Sequence, residues 1–86
     1  MKKKWTVYII RAENGKLYTG ITVDMERRFK EHQTGKKGAK FFRSTSPVEI
    51  VYQEKKADRS LASKREAAIK KLSRKKKEEL IATKAK

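Results

Sequence analysis

Residues 5–23 alternate in character on both sides of Glu13-Asn14-Gly15, and this pattern narrows the choice of fold more than any other feature of the chain. A period of two is the signature of strands whose successive side chains leave opposite faces. Asn-Gly between two such runs marks a hairpin. Two loops compete. A two-residue turn at Asn14-Gly15 puts Trp5, Val7 and Ile9 on one face with Lys16, Tyr18 and Gly20, so that each face is mixed. A three-residue loop, Glu13-Asn14-Gly15 with Gly15 in the left-handed region, gathers Trp5, Val7, Ile9, Leu17, Thr19, Ile21 and Val23 on one face. It leaves Thr6, Tyr8, Ile10, Tyr18, Gly20 and Thr22 on the other. Register follows the arrangement that buries one consistent face, so the three-residue loop is expected. It pairs Ile10 with Tyr18 and brings both tyrosines onto one face that the core does not require.

The remainder reads as helix, strand, helix, helix. Asp24 is an N-cap for a helix that Gly35 stops. Met25 and Phe29 face the core, with Arg28 and His32 on a stripe beside it. Residues 36–46 form a basic loop. A third strand runs from Pro47 to about Gln53. Asp58 or Ser60 starts a helix with Leu61, Ala62, Arg65, Ala68, Ile69 and Leu72 at helical spacing, and Ser73 caps a last helix that buries Leu80 and Ile81. The fold class expected is α+β: a small three-stranded mixed sheet with flanking helices, in the order β-β-α-β-α-α. The chain forms one domain, residues 1–86, with its core over about 5–81 and frayed basic ends. The helices are expected on the core face of the hairpin, leaving the tyrosine face as a shallow basic groove.

Composition sets the class of partner. Twenty-five Lys and Arg stand against ten Asp and Glu in 86 residues, a formal charge of +15, with a pI near 10.3. A lysine-rich surface for solubility needs far less charge, so a nucleic-acid partner is expected. There is no cysteine and one histidine, which argues against a disulfide or an ordinary zinc site. No apolar run approaches the roughly 18 residues of a membrane span, and the basic start lacks a signal-peptide hydrophobic segment. The expected location is cytoplasmic, with a monomer as the default state.

Thr6-Val7-Tyr8 followed by Tyr18-Thr19-Gly20 in the next strand resembles the two signature triplets of the GIY-YIG nuclease superfamily. Residues 20–32, with Arg28 and His32, resemble its strand-to-helix segment. Arg65-Glu66-Ala67-Ala68-Ile69-Lys70 resembles the later helix that carries its acidic metal ligand. The likeness covers about residues 5–81 and is nearest to the small stand-alone bacterial members, the YhbQ-like group. This chain departs from the pattern in Thr6, Val7 and Thr19. It also lacks the asparagine that many members carry after the acidic helix, its only asparagine being Asn14.

The resemblance implies phosphodiester hydrolysis of DNA, in repair or processing, with one divalent ion, Mg2+ or Mn2+, held by Glu66. It implies Tyr8 as general base or water orienter and Tyr18 as a hydrogen-bonding partner of water or phosphate. Arg28 would stabilise phosphoryl charge, and His32 would orient Tyr8 or the phosphate or accept a proton. An unperturbed phenol titrates near about 10, so Tyr8 needs positive charge nearby to act as a base. Gly20 would let a phosphate or backbone come close, and Lys36, Lys37, Lys40 and Arg43 would follow a nucleic-acid backbone, DNA ahead of RNA. Phe41 and Phe42 offer stacking surfaces, at least one of them core. Each residue also has an ordinary reading: tyrosines as strand packing, Arg28 as a solvated helix arginine, and Glu66 as an i,i+4 partner of Lys70. A non-catalytic basic DNA- or RNA-binding module, or a ribosome-associated protein, needs only the charge, the loop and the aromatics.

Overall fold

The computed structural model describes residues 4–35 and 38–84. The elements are β1 Trp5–Ala12, β2 Leu17–Thr22, α1 Met25–Thr34, a single 3-10 turn Lys40–Arg43, β3 Pro47–Lys56, α2 Arg59–Lys70 and α3 Arg74–Lys84. The class and order match the expectation from sequence. Among the described residues, no helix is long and apolar enough to cross a membrane.

The hairpin has the three-residue loop. Tyr8 pairs with Gly20 and Ile10 with Tyr18. Gly15 has φ 85°, a conformation open to glycine at little cost. Its N–H bonds Ala12 O at 2.9 Å, Ala12 N–H bonds Lys16 O at 2.9 Å, and the Asn14 side chain accepts from Lys16 N–H at 3.0 Å.

The sheet is not mixed. Its order is β2-β1-β3, and both pairs are antiparallel. The reason lies in the long return from β2. Thr22 ends beside Thr6, and the chain then runs back through α1 and the 3-10 turn to the hairpin end, where Pro47 opposes Ala12. Glu13 N–H bonds Ser46 O at 2.8 Å and Asn14 N–H bonds the Thr45 hydroxyl at 3.2 Å, which pins that arrival point. A strand starting there must run against β1. The register of β3 on β1 shifts between Ile9 and Ile10 and again between Arg11 and Ala12, which bulges this edge strand. It also runs on to Lys56 rather than ending at Gln53. Its charged end finds partners, with Lys55 Nζ donating to Thr6 Oγ1 at 2.7 Å.

As the central strand, β1 is buried on both faces, so the tyrosine face is not the open surface expected from the hairpin alone. On one side Val7, Ile9, Tyr52, Ala62, Ile69 and Ile81 pack under α2 and α3. On the other, Tyr8, Ile10, Ala12 and Phe42 form a second cluster, with Tyr18, Met25, Phe29 and Phe41 against it. Burial of each such side chain contributes about 1.5–3 kcal/mol. The basic loop accordingly contains structure: its 3-10 turn inserts Phe42 into this second cluster.

The helix ends follow the caps read from sequence. Asp24 accepts from Arg27 N–H at 3.1 Å, and Gly35 closes α1 at φ 78°. Asp58 accepts from Leu61 N–H at 2.9 Å, and Ser73 Oγ accepts from Lys76 N–H at 3.2 Å.

Candidate active site

Tyr8 projects from the middle of β1 toward α1, and its phenol crosses the backbone of β2 at Gly20. A Cβ on Gly20 would lie 2.5 Å from Tyr8 Oη and 3.2 Å from a Tyr18 ring carbon. Gly20 is read from sequence as letting a phosphate or backbone come close; in the structure the group it makes room for is the phenol of Tyr8.

α1 supplies two residues one turn apart. His32 is 1% exposed, and its Nε2 lies 3.0 Å from Tyr8 Oη. Its Nδ1 accepts from the backbone N–H of Ala39 at 3.2 Å. Arg28 acts on the Tyr8 phenol through its positive charge and donates from its guanidinium to Glu31 Oε1 at 2.8 Å. Arg27, with the same chemistry, faces outward, its side chain 64% exposed against 26% for Arg28. Helix phase therefore selects Arg28.

Burial is the main influence on both titrating groups. It pushes the Tyr8 phenol up to about 12, with Tyr18 and the Glu66 carboxylate adding to the rise and Arg28 opposing it. It pulls the His32 imidazole down to about 4, helped by the charge of Arg28 and opposed by Glu31. At neutral pH the pair is a protonated phenol beside a neutral imidazole.

Tyr18 completes the cluster through its ring. Its centroid is 6.2 Å from Tyr8, 5.4 Å from His32 and 5.2 Å from Phe42. Phe41 packs on Tyr18 at 5.4 Å, so both phenylalanines are engaged with protein rings. Glu66 comes from the other layer, on α2, which packs across β1 and β2. Its carboxylate is 22% exposed and bonds Lys70 Nζ at 3.3 Å, the i,i+4 pair read from sequence. Its charge is nonetheless felt at Tyr8.

Tyr8, Tyr18 and His32 thus gather on one face with Arg28 beside them, Glu66 reaches Tyr8 through its charge alone, and Tyr8 is 1% exposed. Lys40 and Arg43 are exposed on the 3-10 turn. Lys36 and Lys37 lie outside the described residues. A depression of about 390 Å³ lined by Glu13, Asn14 and residues 42–46 includes none of Tyr8, Tyr18, Arg28, His32 and Glu66.

Two contributors escaped the sequence reading. Glu31 clamps Arg28, and its i,i+3 spacing was a visible signal. Ala39 acts through a backbone N–H, which no residue identity reveals. The only trace is Gly38, where a Cβ would lie 2.9 Å from Glu31 O and 3.1 Å from His32 Cα.

Among the described residues, no three His, Cys, Asp or Glu side chains gather in a way that could hold a metal. A single carboxylate such as Glu66 suits a hard, largely hydrated divalent ion, which takes one or two carboxylates plus water and phosphate. The exposed Lys70 partner is a weak competitor.

The family profile described as the GIY-YIG catalytic domain matches residues 4–79. A UPF0213 protein of Desulfotalea psychrophila is 52% identical over 77 residues, covering 90% of this chain and 70% of that protein. The UPF0213 protein YhbQ of Escherichia coli K12 is 46% identical over 78 residues, covering 91% and 77%. The solution NMR structure of a UPF0213 protein from Bacillus halodurans superposes with TM-score 0.61 at 40% identity, over 94% of this chain and 85% of that one.

Proposed function

The chain belongs to the GIY-YIG nuclease family, and from that premise we propose that it is a divalent-metal-dependent endonuclease that hydrolyses phosphodiester bonds of DNA. The observation that carries the proposal is the buried Tyr8–His32 hydrogen bond of 3.0 Å, with Arg28 on the same phenol. Packing needs no such polar convergence. Buried polar groups are costly unless satisfied, and a leucine and a phenylalanine would fill the space.

In this reading Tyr8 orients the attacking water through its phenol Oη, and the water's proton passes to solvent. The water oxygen bonds to phosphorus as the P–O bond to the leaving group breaks. Arg28 neutralises charge on the phosphoryl oxygens, where a guanidinium fork fits better than an ammonium. Glu66 would hold one Mg2+ or Mn2+, which supplies positive charge at the phosphate and the leaving oxygen. Neutralising Glu66 also removes one of the influences that hold the Tyr8 phenol protonated. Lys40, Arg43 and the general positive charge bind the backbone.

The test is cleavage of single-stranded, duplex and branched DNA by purified protein with Mg2+ or Mn2+. Cleavage that falls at least about a hundredfold in Tyr8→Phe and Glu66→Ala is expected. Variants that cut as well as the parent would overturn the assignment. The second reading, a non-catalytic binding module, draws on the near-complete burial of Tyr8. It predicts binding without metal and without cleavage, unchanged by Glu66→Ala.

A further inference from the structure

We propose that the Gly38-Ala39 segment locks His32 into a single tautomer, making it a fixed hydrogen-bond donor to Tyr8 and never the acceptor of its proton. The roles of Gly38 and Ala39 in cleavage rest on the function proposed above; the lock itself does not. A backbone N–H can only donate. The Ala39 N–H points at Nδ1 at 3.2 Å, so Nδ1 carries the lone pair. A neutral imidazole then has its proton on Nε2, and Nε2 lies 3.0 Å from Tyr8 Oη. The bond therefore runs from His32 to Tyr8. The phenol oxygen accepts from His32, and its own proton is directed elsewhere.

Gly38 makes this contact attainable. The segment lies so close to the last turn of α1 that a Cβ would meet Glu31 O at 2.9 Å and His32 Cα at 3.1 Å. Those atoms are helix backbone and cannot yield as a side-chain tip could. Protonating Nδ1 would set two N–H groups against each other, consistent with the low affinity of His32 for a second proton. A proton-accepting histidine would need the reverse arrangement, with the lone pair on Nε2. Gly38 and Ala39 are thus positioning residues, acting on Tyr8 through His32.

The first measurement is the ¹⁵N spectrum of the His32 ring at neutral pH, which reads the tautomer without reference to cleavage. A pyridine-like Nδ1 and a pyrrole-like Nε2 are expected; an Nδ1-protonated or averaged ring would overturn the lock. In Gly38→Val, shown folded by its amide spectrum, the ring should shift toward averaged nitrogens. An unchanged ring would sink the role of Gly38, and if the variant does not fold the parent spectrum still decides the tautomer. The second measurement is cleavage by His32→Gln, whose amide can donate from a similar place but cannot take up a proton. Activity within about tenfold of the parent is expected. A loss of about a hundredfold or more, the scale of general-base catalysis, would restore His32 as an acceptor. If the parent cuts no DNA, the nuclease reading fails while the tautomer result stands.

Discussion

Gly20 is held to glycine by another residue's side chain, not by its own backbone. Only Gly15 and Gly35 have positive φ among the described glycines. Gly20→Ala would drive a methyl into the Tyr8 phenol, 2.5 Å away. It is expected to destabilise the fold by about 1–3 kcal/mol and to abolish cleavage, read by urea unfolding alongside the DNA assay. At the adjacent residue of the same strand the effect reverses. The Thr19 hydroxyl is buried without a hydrogen-bond partner. Thr19→Val should raise the urea midpoint, by about 1 kcal/mol. His32 adds a pH dependence. Its pKa lies near 6.5 when unfolded and about 4 when folded, so between those values the unfolded chain binds a proton that the native state refuses. Stability should therefore fall as pH drops from about 6.5 to about 4, by about 3 kcal/mol in total. His32→Gln should flatten that fall in urea midpoints measured across the window. A further loss belongs to Glu54, held at about 2; burial works against its charge, but Lys56, Tyr52 and Arg65 outweigh it.

At the scale of elements, α2 is fastened to β3 by that same Glu54. Arg65 Nε donates to its Oε2 at 3.1 Å, Lys56 Nζ bonds its Oε1 at 2.6 Å, and the Tyr52 hydroxyl donates to Oε2. Arg65→Met should cost about 1–2 kcal/mol, since the pair is partly exposed. Because Glu66 is the next residue, cleavage should fall more than DNA binding does; equal losses would mean that α2 does not align the site. The hairpin register, the helix caps and the shared face of Tyr8 and Tyr18 were legible because turn chemistry, capping and side-chain period are local properties. The second core was not. The pattern of β1 alone shows which residues share a face, but whether that face is covered depends on where α1 and Phe42 fold back. The antiparallel β3 was hidden for the same reason, since its direction is set by the path of residues 24–46. Glu54, Lys55 and Lys56 fell beyond the strand expected to end at about Gln53 because their partners on β1 and α2 are remote in sequence. The contact most specific to His32 comes from a peptide N–H, which has no letter of its own.

For the molecule as a whole, a charge of +15 would make the proposed association with DNA a salt-governed event. Binding should weaken about a hundredfold between roughly 50 and 200 mM salt if about four phosphates are contacted. A chelator should stop cleavage while leaving that binding in place, and fluorescence anisotropy beside the cleavage assay separates the two. The strand order has a kinetic consequence. β1 meets β2 across a three-residue loop, but its other neighbour comes from far along the chain, with Trp5 opposite Lys56. Closing that distance costs entropy before any contact rewards it. The hairpin can form early, whereas the open edge of β1 stays uncovered until α1 and the 3-10 turn have brought β3 round. Refolding traces should show it: changes at the Gly15 turn should slow folding, and Ile50→Ala on β3 should mainly speed unfolding. During that interval a newly made chain carries an apolar strand with one side unpaired, so crowding by its own copies is the hazard it faces before it meets any partner.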